Sequence, residues 1–269
     1  YPTWNPVIFQ PDGGELMLYY KVGPSPKEWW GEYITSADNG YTWSSLRRLE
    51  LPLLGPIKNK PIQLADGTLI SGSSDKRHGW RAHIERSTDK GHTWEFIGPL
   101  NDGKKIAAIQ PAFLQHGGDT IQVLCRTNGK NGNNRIVQAW SYDAGKSWSE
   151  MTETTLPNNN SGLIYNHSTR NQENMGHKGR GVINLAVSRD GINWEAALVL
   201  DYIDQPEKQY SYPSMIQTAD GLVHIVYTWH RQRIKHVVVD PQKLETYPII
   251  DGVWPTDKVP FVMSPVDAL

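Results

Sequence analysis

The chain has 269 residues and carries 27 Lys and Arg against 28 Asp and Glu, a formal net charge of −1. That length can bury a sizeable core in one large domain or two small ones. The charge balance argues against a general nucleic-acid or membrane-surface binder, leaving a local basic site open, and no apolar run nears the ~20 residues of a membrane-spanning helix.

Eleven Trp, 24 Gly and 18 Pro favour many short strands and turns over long helices. The first predicted element is a hairpin, NPVIFQPDGGELMLYYK (Asn5–Lys21), followed by a polar turn, SADNGYTW (Ser36–Trp43). The pair recurs as KPIQLADGTLISGSS (Lys60–Ser74) with STDKGHTW (Ser87–Trp94). It recurs again as QPAFLQHGGDTIQVLCR (Gln110–Arg126) with SYDAGKSW (Ser141–Trp148). A shorter turn, SRDGINW (Ser188–Trp194), precedes a last hairpin, YPSMIQTADGLVHIVYTW (Tyr212–Trp229). Each hairpin opens on a proline, which costs little where its missing N–H lies outside the ladder. In each turn Ser and Asp can bond the backbone, Gly supplies a positive φ, and Trp can fold back as an apolar plug.

The turn tryptophans lie 51, 54 and 46 residues apart, a period that points to a propeller-type array with one unit per blade. A hairpin plus a turn makes a four-stranded blade whose first strand lies nearest the axis. The residue before each proline then stands at one rim: Asn5, Lys60, Gln110 and Tyr212. The second strands return Lys21, Ser74, Arg126 and Thr228 to His230 to the same rim. Only seven residues separate Pro157 from Tyr165, so the inner hairpin of that blade is missing or much shortened. The polar stretch YNHSTRNQENMGHKGR (Tyr165–Arg180) reads as a loop over the site. Cys125, the single cysteine, reads as a buried strand residue; no disulfide and no zinc spacing can be built from it.

The eight-residue turns resemble the Asp boxes of the sialidase (neuraminidase) superfamily, and the resemblance covers most of the chain. It implies an all-β fold, a six-bladed β-propeller with four Asp-box turns, formed by residues 1–269 as one domain, short at its N-terminus and near 157–165. The family's catalytic tyrosine precedes an Asp-Gly turn by eight residues, as Tyr212 precedes Asp220. Its glutamate lies sixteen residues before an arginine of a carboxylate-binding triad; here the pair is Gln110 and Arg126. A further triad arginine lies eight before a box serine, as Arg180 precedes Ser188. Three positions depart from the pattern. Trp4 falls where the first arginine is expected, Gln110 replaces the glutamate, and Glu32 is the nearest carboxylate to the place of the acid/base aspartate.

The resemblance thus implies Tyr212 as nucleophile or electrostatic stabiliser, with Gln110 beside it in the catalytic set and Glu32 as acid. A tyrosine nucleophile avoids repulsion from a substrate carboxylate but needs help against a pKa of ~10. Arg126 and Arg180 would bind the carboxylate, arginine being suited to a two-point grip. Lys58, Lys60, Arg77, His78, Tyr165, His167, His230 and Arg231 are further substrate-binding candidates, with Arg170 beside them. Glu85 reads as the structural partner of Arg81 or Arg86.

The expected partner is an acidic oligosaccharide or glycoconjugate, with no cofactor, no metal, no nucleic acid and no membrane insertion, in a secreted or periplasmic setting. Two other readings stand beside the hydrolase. One is a lyase eliminating across a uronic acid, which needs a cation and a Tyr or His base but neither missing carboxylate. The other is a carbohydrate-binding propeller without catalysis.

Overall fold

The computed structural model describes residues 1–128, 134–158, 164–168 and 176–262. The chain divides into two compact units, Tyr1–Asn131 with Val137–Thr152, and Gly132–Ile136 with Glu153–Leu269. Its regular structure is nearly all antiparallel sheet. The first sheet holds β1 (Thr3–Phe9), β2 (Leu16–Val22), β3 (Trp30–Ser36) and β4 (Arg47–Arg48). The second holds β5 (Ile62–Gln63), β6 (Leu69–Asp75), β7 (Arg81–Ser87) and β8 (Glu95–Ile97). The third holds β9 (Ala108–Gln115), β10 (Ile121–Thr127), β11 (Arg135–Ser141) and β12 (Thr152–Pro157). The fourth is built on β13 (Ile164–Tyr165), β14 (Val182–Val187) and β15 (Glu195–Tyr202), and the fifth on β16 (Tyr210–Gln217), β17 (Val223–Trp229) and β18 (Arg233–Val239). The fourth sheet gains its outer edge from β19 (Tyr247–Pro248), paired to β15.

Strand patterning explains the packing. In β2 burial alternates, sending Met17, Tyr19 and Lys21 inward, as a half-covered strand requires. Every residue of β10 is buried; its Ile121, Val123 and Cys125 join Ile70, Ile84 and Val137 in one core. In the second unit Ile183, Ile203, Tyr210, Ile225 and Tyr227 make another.

The polar turns close the third strand of each of the first three sheets onto the fourth. Ser36 Oγ donates to Asp38 Oδ1 at 2.7 Å and receives the Gly40 amide at 2.8 Å. Asp38 also accepts the Thr42 amide at 2.8 Å and hydroxyl at 2.6 Å. Those Thr42 bonds, helped by Ser36, hold the Asp38 carboxyl down at about 2. Ser87, Asp89, Gly91 and Thr93 repeat the set, as do Ser141, Asp143, Gly145 and Ser147. In the shorter copy Asn193 takes the threonine's place on Asp190.

Five sheets appear among the described residues, not the six blades the resemblance implied. The C-terminal segment supplies β19 to the fourth sheet, with the Ile249 amide donating to Trp194 O at 2.8 Å. Among the described residues, only the two-residue β13 lies inside β14 in the fourth sheet. Residues 169–175 of the supposed loop, Arg170 among them, lie outside the described residues.

Candidate functional site

Three of the four residues that precede a hairpin proline share one backbone feature. Asn5, Gln110 and Tyr212 have φ of 45, 62 and 54. Each sits where the strand register slips, between Trp4 and Val7, opposite Leu124/Arg126, and between Ser211 and Ser214. A residue before proline already avoids the right-handed helical region, and a positive φ costs a side-chain-bearing residue roughly 1–2 kcal/mol. A bulge re-aims its side chain out of the strand's alternation, and such strain gathers at working sites. In the second sheet the left-handed residue is Lys58, φ 69, and not Lys60; the short β5 begins only after both.

In the first unit the bulge at Gln110 is held from a neighbouring segment. The Asn59 side-chain amide donates to Gln110 O at 3.1 Å and Pro111 O at 2.8 Å. The Gln110 amide meets Ser74 Oγ at 3.4 Å. This close approach needs Gly72, whose added Cβ would lie 2.6 Å from Pro111 Cβ. Gln110 Oε1 is buried without a hydrogen-bond partner. Arg126, 8% exposed, pairs with Ile109 across the bulge, and its guanidinium carbon lies 5.2 Å from the Trp80 ring centre. Lys76 Nζ lies 5.2 Å from the same centre. Burial, then the charge of Arg126, pushes the Lys76 ammonium's pKa down. Gln110, Arg126, Trp80 and Lys76 thus form one cationic, aromatic group.

Lys21 and Glu85 brace the approach to Asn59. Lys21, expected at the rim, is fully buried and donates to Gly55 O at 3.0 Å and Pro56 O at 2.8 Å. Glu85 accepts the amides of Leu54 and Gly55 at 2.6 and 2.9 Å and lies 3.0 Å from His83 Nε2. Its expected partners Arg81 and Arg86 are displaced by this network: Arg86 faces the opposite way along the strand, and Arg81 donates to Asp102 O at 3.1 Å. Burial lowers the Lys21 pKa to about 7 against a smaller opposing pull from Glu85.

In the second unit Arg180 and His230 are linked through Gln209. Arg180 Nη1 donates to Gln209 Oε1 at 3.2 Å, and the His230 amide donates to Gln209 O at 2.9 Å. The Tyr210 amide donates to Arg180 O at 2.8 Å, setting β16 beside it. Tyr212 is 55% exposed. His230 and Arg231, φ 49 and 59, are the central pair of the tight β17–β18 turn closed by Gln232 N on Trp229 O, a geometry that normally recruits Asn or Gly. The His230 ring packs 3.8 Å from that of Trp229.

The remaining candidates stand elsewhere. Arg77 donates to Lys27 O and Trp29 O, and His78 meets Asp75. Both line a cavity of about 370 Å³ with Leu51, Leu54 and Phe96, which Gln110, Arg126 and Trp80 do not line. Glu32 is 9% exposed and accepts the Trp30 indole N–H at 2.6 Å, its strand partners being Tyr20 and Arg48. Tyr165 is fully buried, with its hydroxyl 2.5 Å from His167 Nδ1, and His167 Nε2 lies 3.0 Å from Gly252 O. Since the carbonyl only accepts, Nε2 carries the proton and Nδ1 takes the tyrosine's. Burial lowers the His167 pKa to about 4. Lys60 is exposed beside Asn59.

Sequence reasoning passed over Asn59, Lys76 and Gln209. Asn59 sits among lysines in GPIKNKP, Lys76 in the charged run DKRHGWR, and Gln209 in a loop; no pattern of residue types marks any of them. Among the described residues no helix is long and apolar enough to cross a membrane, and no three His, Cys, Asp or Glu residues gather as metal ligands.

Comparison with known proteins agrees with this architecture. Over 181 residues the chain is 26% identical to a sialidase of Micromonospora viridifaciens, covering 60% of this chain and 27% of that protein. The chain therefore matches about a quarter of that relative's length. A Hadza microbial sialidase, Hz136, superposes with TM-score 0.61 at 16% identity over 90% of this chain and 53% of that one. A Dyadobacter fermentans protein of unknown function gives 0.58 at 15%, over 88% and 76%. The NanB sialidase of Streptococcus pneumoniae gives 0.51 at 18%, over 84% and 37%. At these identities the likeness carries the fold, an all-β propeller. The model of the BNR repeat-like domain matches residues 1–225, and the chain belongs to that family, within the sialidase superfamily.

Proposed function

We propose that this chain is a carbohydrate-active enzyme of sialidase type, a glycoside hydrolase acting on a terminal acidic sugar outside the cytoplasm. The observation that carries the reading is Tyr212: 55% exposed, left-handed at φ 54, and set at a strand bulge. Packing does not call for an exposed, strained tyrosine, whereas chemistry at its hydroxyl does. Tyr212 is the nucleophile or stabiliser, and the resemblance makes Arg126 and Arg180 carboxylate ligands. Lys58, Lys60, His230 and Arg231 remain further substrate-binding candidates. Glu32 is given the acid role by the resemblance alone.

The test is hydrolysis of an aryl sialoside, followed by release of the aryl alcohol. Tyr212→Phe should lower the rate at least ~100-fold, within the range of losing one catalytic group, with the unfolding midpoint unchanged because the side chain is largely exposed. An unchanged rate would remove Tyr212 from the mechanism.

Gln110 favours a second reading. Its amide cannot take a proton where the family has a carboxylate, which suits a uronate lyase or a sugar-binding protein without catalysis. Gln110→Glu separates these: faster hydrolysis supports the hydrolase, whereas unsaturated product from a polyuronate, or saturable binding with no product, supports the others.

A further inference from the structure

The cationic group around Trp80 contains a residue that the family resemblance does not assign. Lys76 lies just beyond β6, and its ammonium is drawn to the Trp80 ring at 5.2 Å, the same distance as the Arg126 guanidinium. Two cations near one ring repel each other, and burial adds to the cost; the ammonium's pKa is lowered for both reasons, burial first. Lys76 forms no ion pair with a carboxylate among the described residues. The acid next to it, Asp75, is engaged by the Arg77 amide at 2.8 Å and by His78 at 3.1 Å. Two residues before Lys76, Ser74 Oγ lies 3.4 Å from the Gln110 amide, so the end of β6 reaches the bulge of β9. There Gln110 presents a buried acceptor, Oε1, with no donor of its own. Concentrated positive charge beside an unused acceptor calls for a ligand that is anionic at one point and carries a hydroxyl near it.

We propose that Lys76 is a specificity-determining residue which, with Arg126, holds the carboxylate of a sugar acid, while Gln110 Oε1 accepts a hydroxyl of the same ligand. This rests on the acidic-sugar reading above and adds a residue to it. The Trp80 ring holds the Lys76 ammonium near Arg126 without neutralising that ammonium, as a carboxylate partner would. Discrimination follows from charge: a neutral ester of the same sugar keeps its hydroxyls and loses the ionic contact.

The test compares N-acetylneuraminate and D-glucuronate with their methyl esters by titration calorimetry, on the wild-type chain, Lys76→Met and Lys76→Arg. Lys76→Met should weaken binding of the acids about tenfold, the scale of one charge-assisted contact, and leave the esters unchanged; Lys76→Arg should restore most of the loss. Equal loss for acid and ester, or no loss for either, overturns the proposal. A second measurement keeps the two readings apart: ¹³C NMR of reductively methylated lysines during titration with sodium acetate, the Lys76 signal being identified by its absence in Lys76→Arg. If acetate shifts that signal while no sugar acid binds, the anion site stands and the sugar reading falls. If sugar acids bind and Lys76→Met still prefers acid to ester, the sugar reading stands and the role of Lys76 falls.

Discussion

The Asn59 side-chain amide donates to two consecutive carbonyl oxygens, those of Gln110 at 3.1 Å and Pro111 at 2.8 Å. It thereby fixes a backbone that neither residue would adopt alone. Asn59→Ala leaves both oxygens short of a donor in a crowded place and should cost about 1–3 kcal/mol. Asn59→Asp should cost more, because a carboxylate oxygen would then face two carbonyl oxygens. Urea midpoints of the two variants check the order; an Asp variant as stable as the Ala variant would show that the side chain does not hold the bulge.

Much of the fold was legible because its signals are local. Ser36, Asp38, Gly40 and Thr42 bond one another within seven residues, so the turn can be read wherever the string appears. Gln110 and Tyr212 were legible as special positions because a proline follows each and the hairpins align. What escaped depends on distant parts of the chain. Asn59 meets Gln110 across 51 positions, Lys21 meets Gly55 across 34, and β19 joins β15 through a register that no periodicity announces. Glu85 reads from the sequence as a partner of Arg81 or Arg86, but strand alternation sends Arg86 to the opposite face and the distant backbone amides of Leu54 and Gly55 take the carboxylate.

Cys125 offers a probe of the first unit's core. It is fully buried in β10 among Ile84, Val123 and Val137, and burial pushes its thiol pKa up. The thiolate is the reactive form, so an aromatic disulfide reagent should label none of the native chain over minutes and one thiol per chain in denaturant. Rapid labelling without denaturant would place the cysteine at the surface.

His167 should make the second unit sensitive to acid. Its pKa falls from 6.5 to about 4, mainly through burial, with the nearby Arg135 charge assisting and the Gly252 bond opposing. The unfolded chain therefore binds a proton that the folded chain refuses between those values. The contribution is complete above pH ~6.5 and is lost as pH falls towards ~4, amounting to about 3 kcal/mol. His167→Gln removes the titration and should flatten this part of the stability profile, though its midpoint at neutral pH will drop as the Tyr165 hydroxyl loses its acceptor. A wild-type profile no steeper than the variant's between those limits would mean that His167 accepts the proton while folded.

Lys21 gives the opposite end of the pH range. Free lysine titrates near 10.5, but burial holds this ammonium at about 7, with Glu85 pulling weakly the other way. Between those values the unfolded chain carries a proton that the folded chain has given up, so stability should rise with pH across that window, by up to ~1.4 kcal/mol per unit. Below pH ~7 both states are charged and the slope vanishes. Lys21→Met removes the group and leaves Gly55 O and Pro56 O without their donor, so it lowers stability at every pH. The informative quantity is therefore the difference between the wild-type and Met profiles, measured by urea unfolding from about pH 7 to pH 9.5, short of tyrosine ionisation. A difference that grows with pH shows that Lys21 discharges on folding. A constant difference would mean that Glu85 and the two carbonyls keep it charged inside the protein, making it an ammonium brace and not a neutral one.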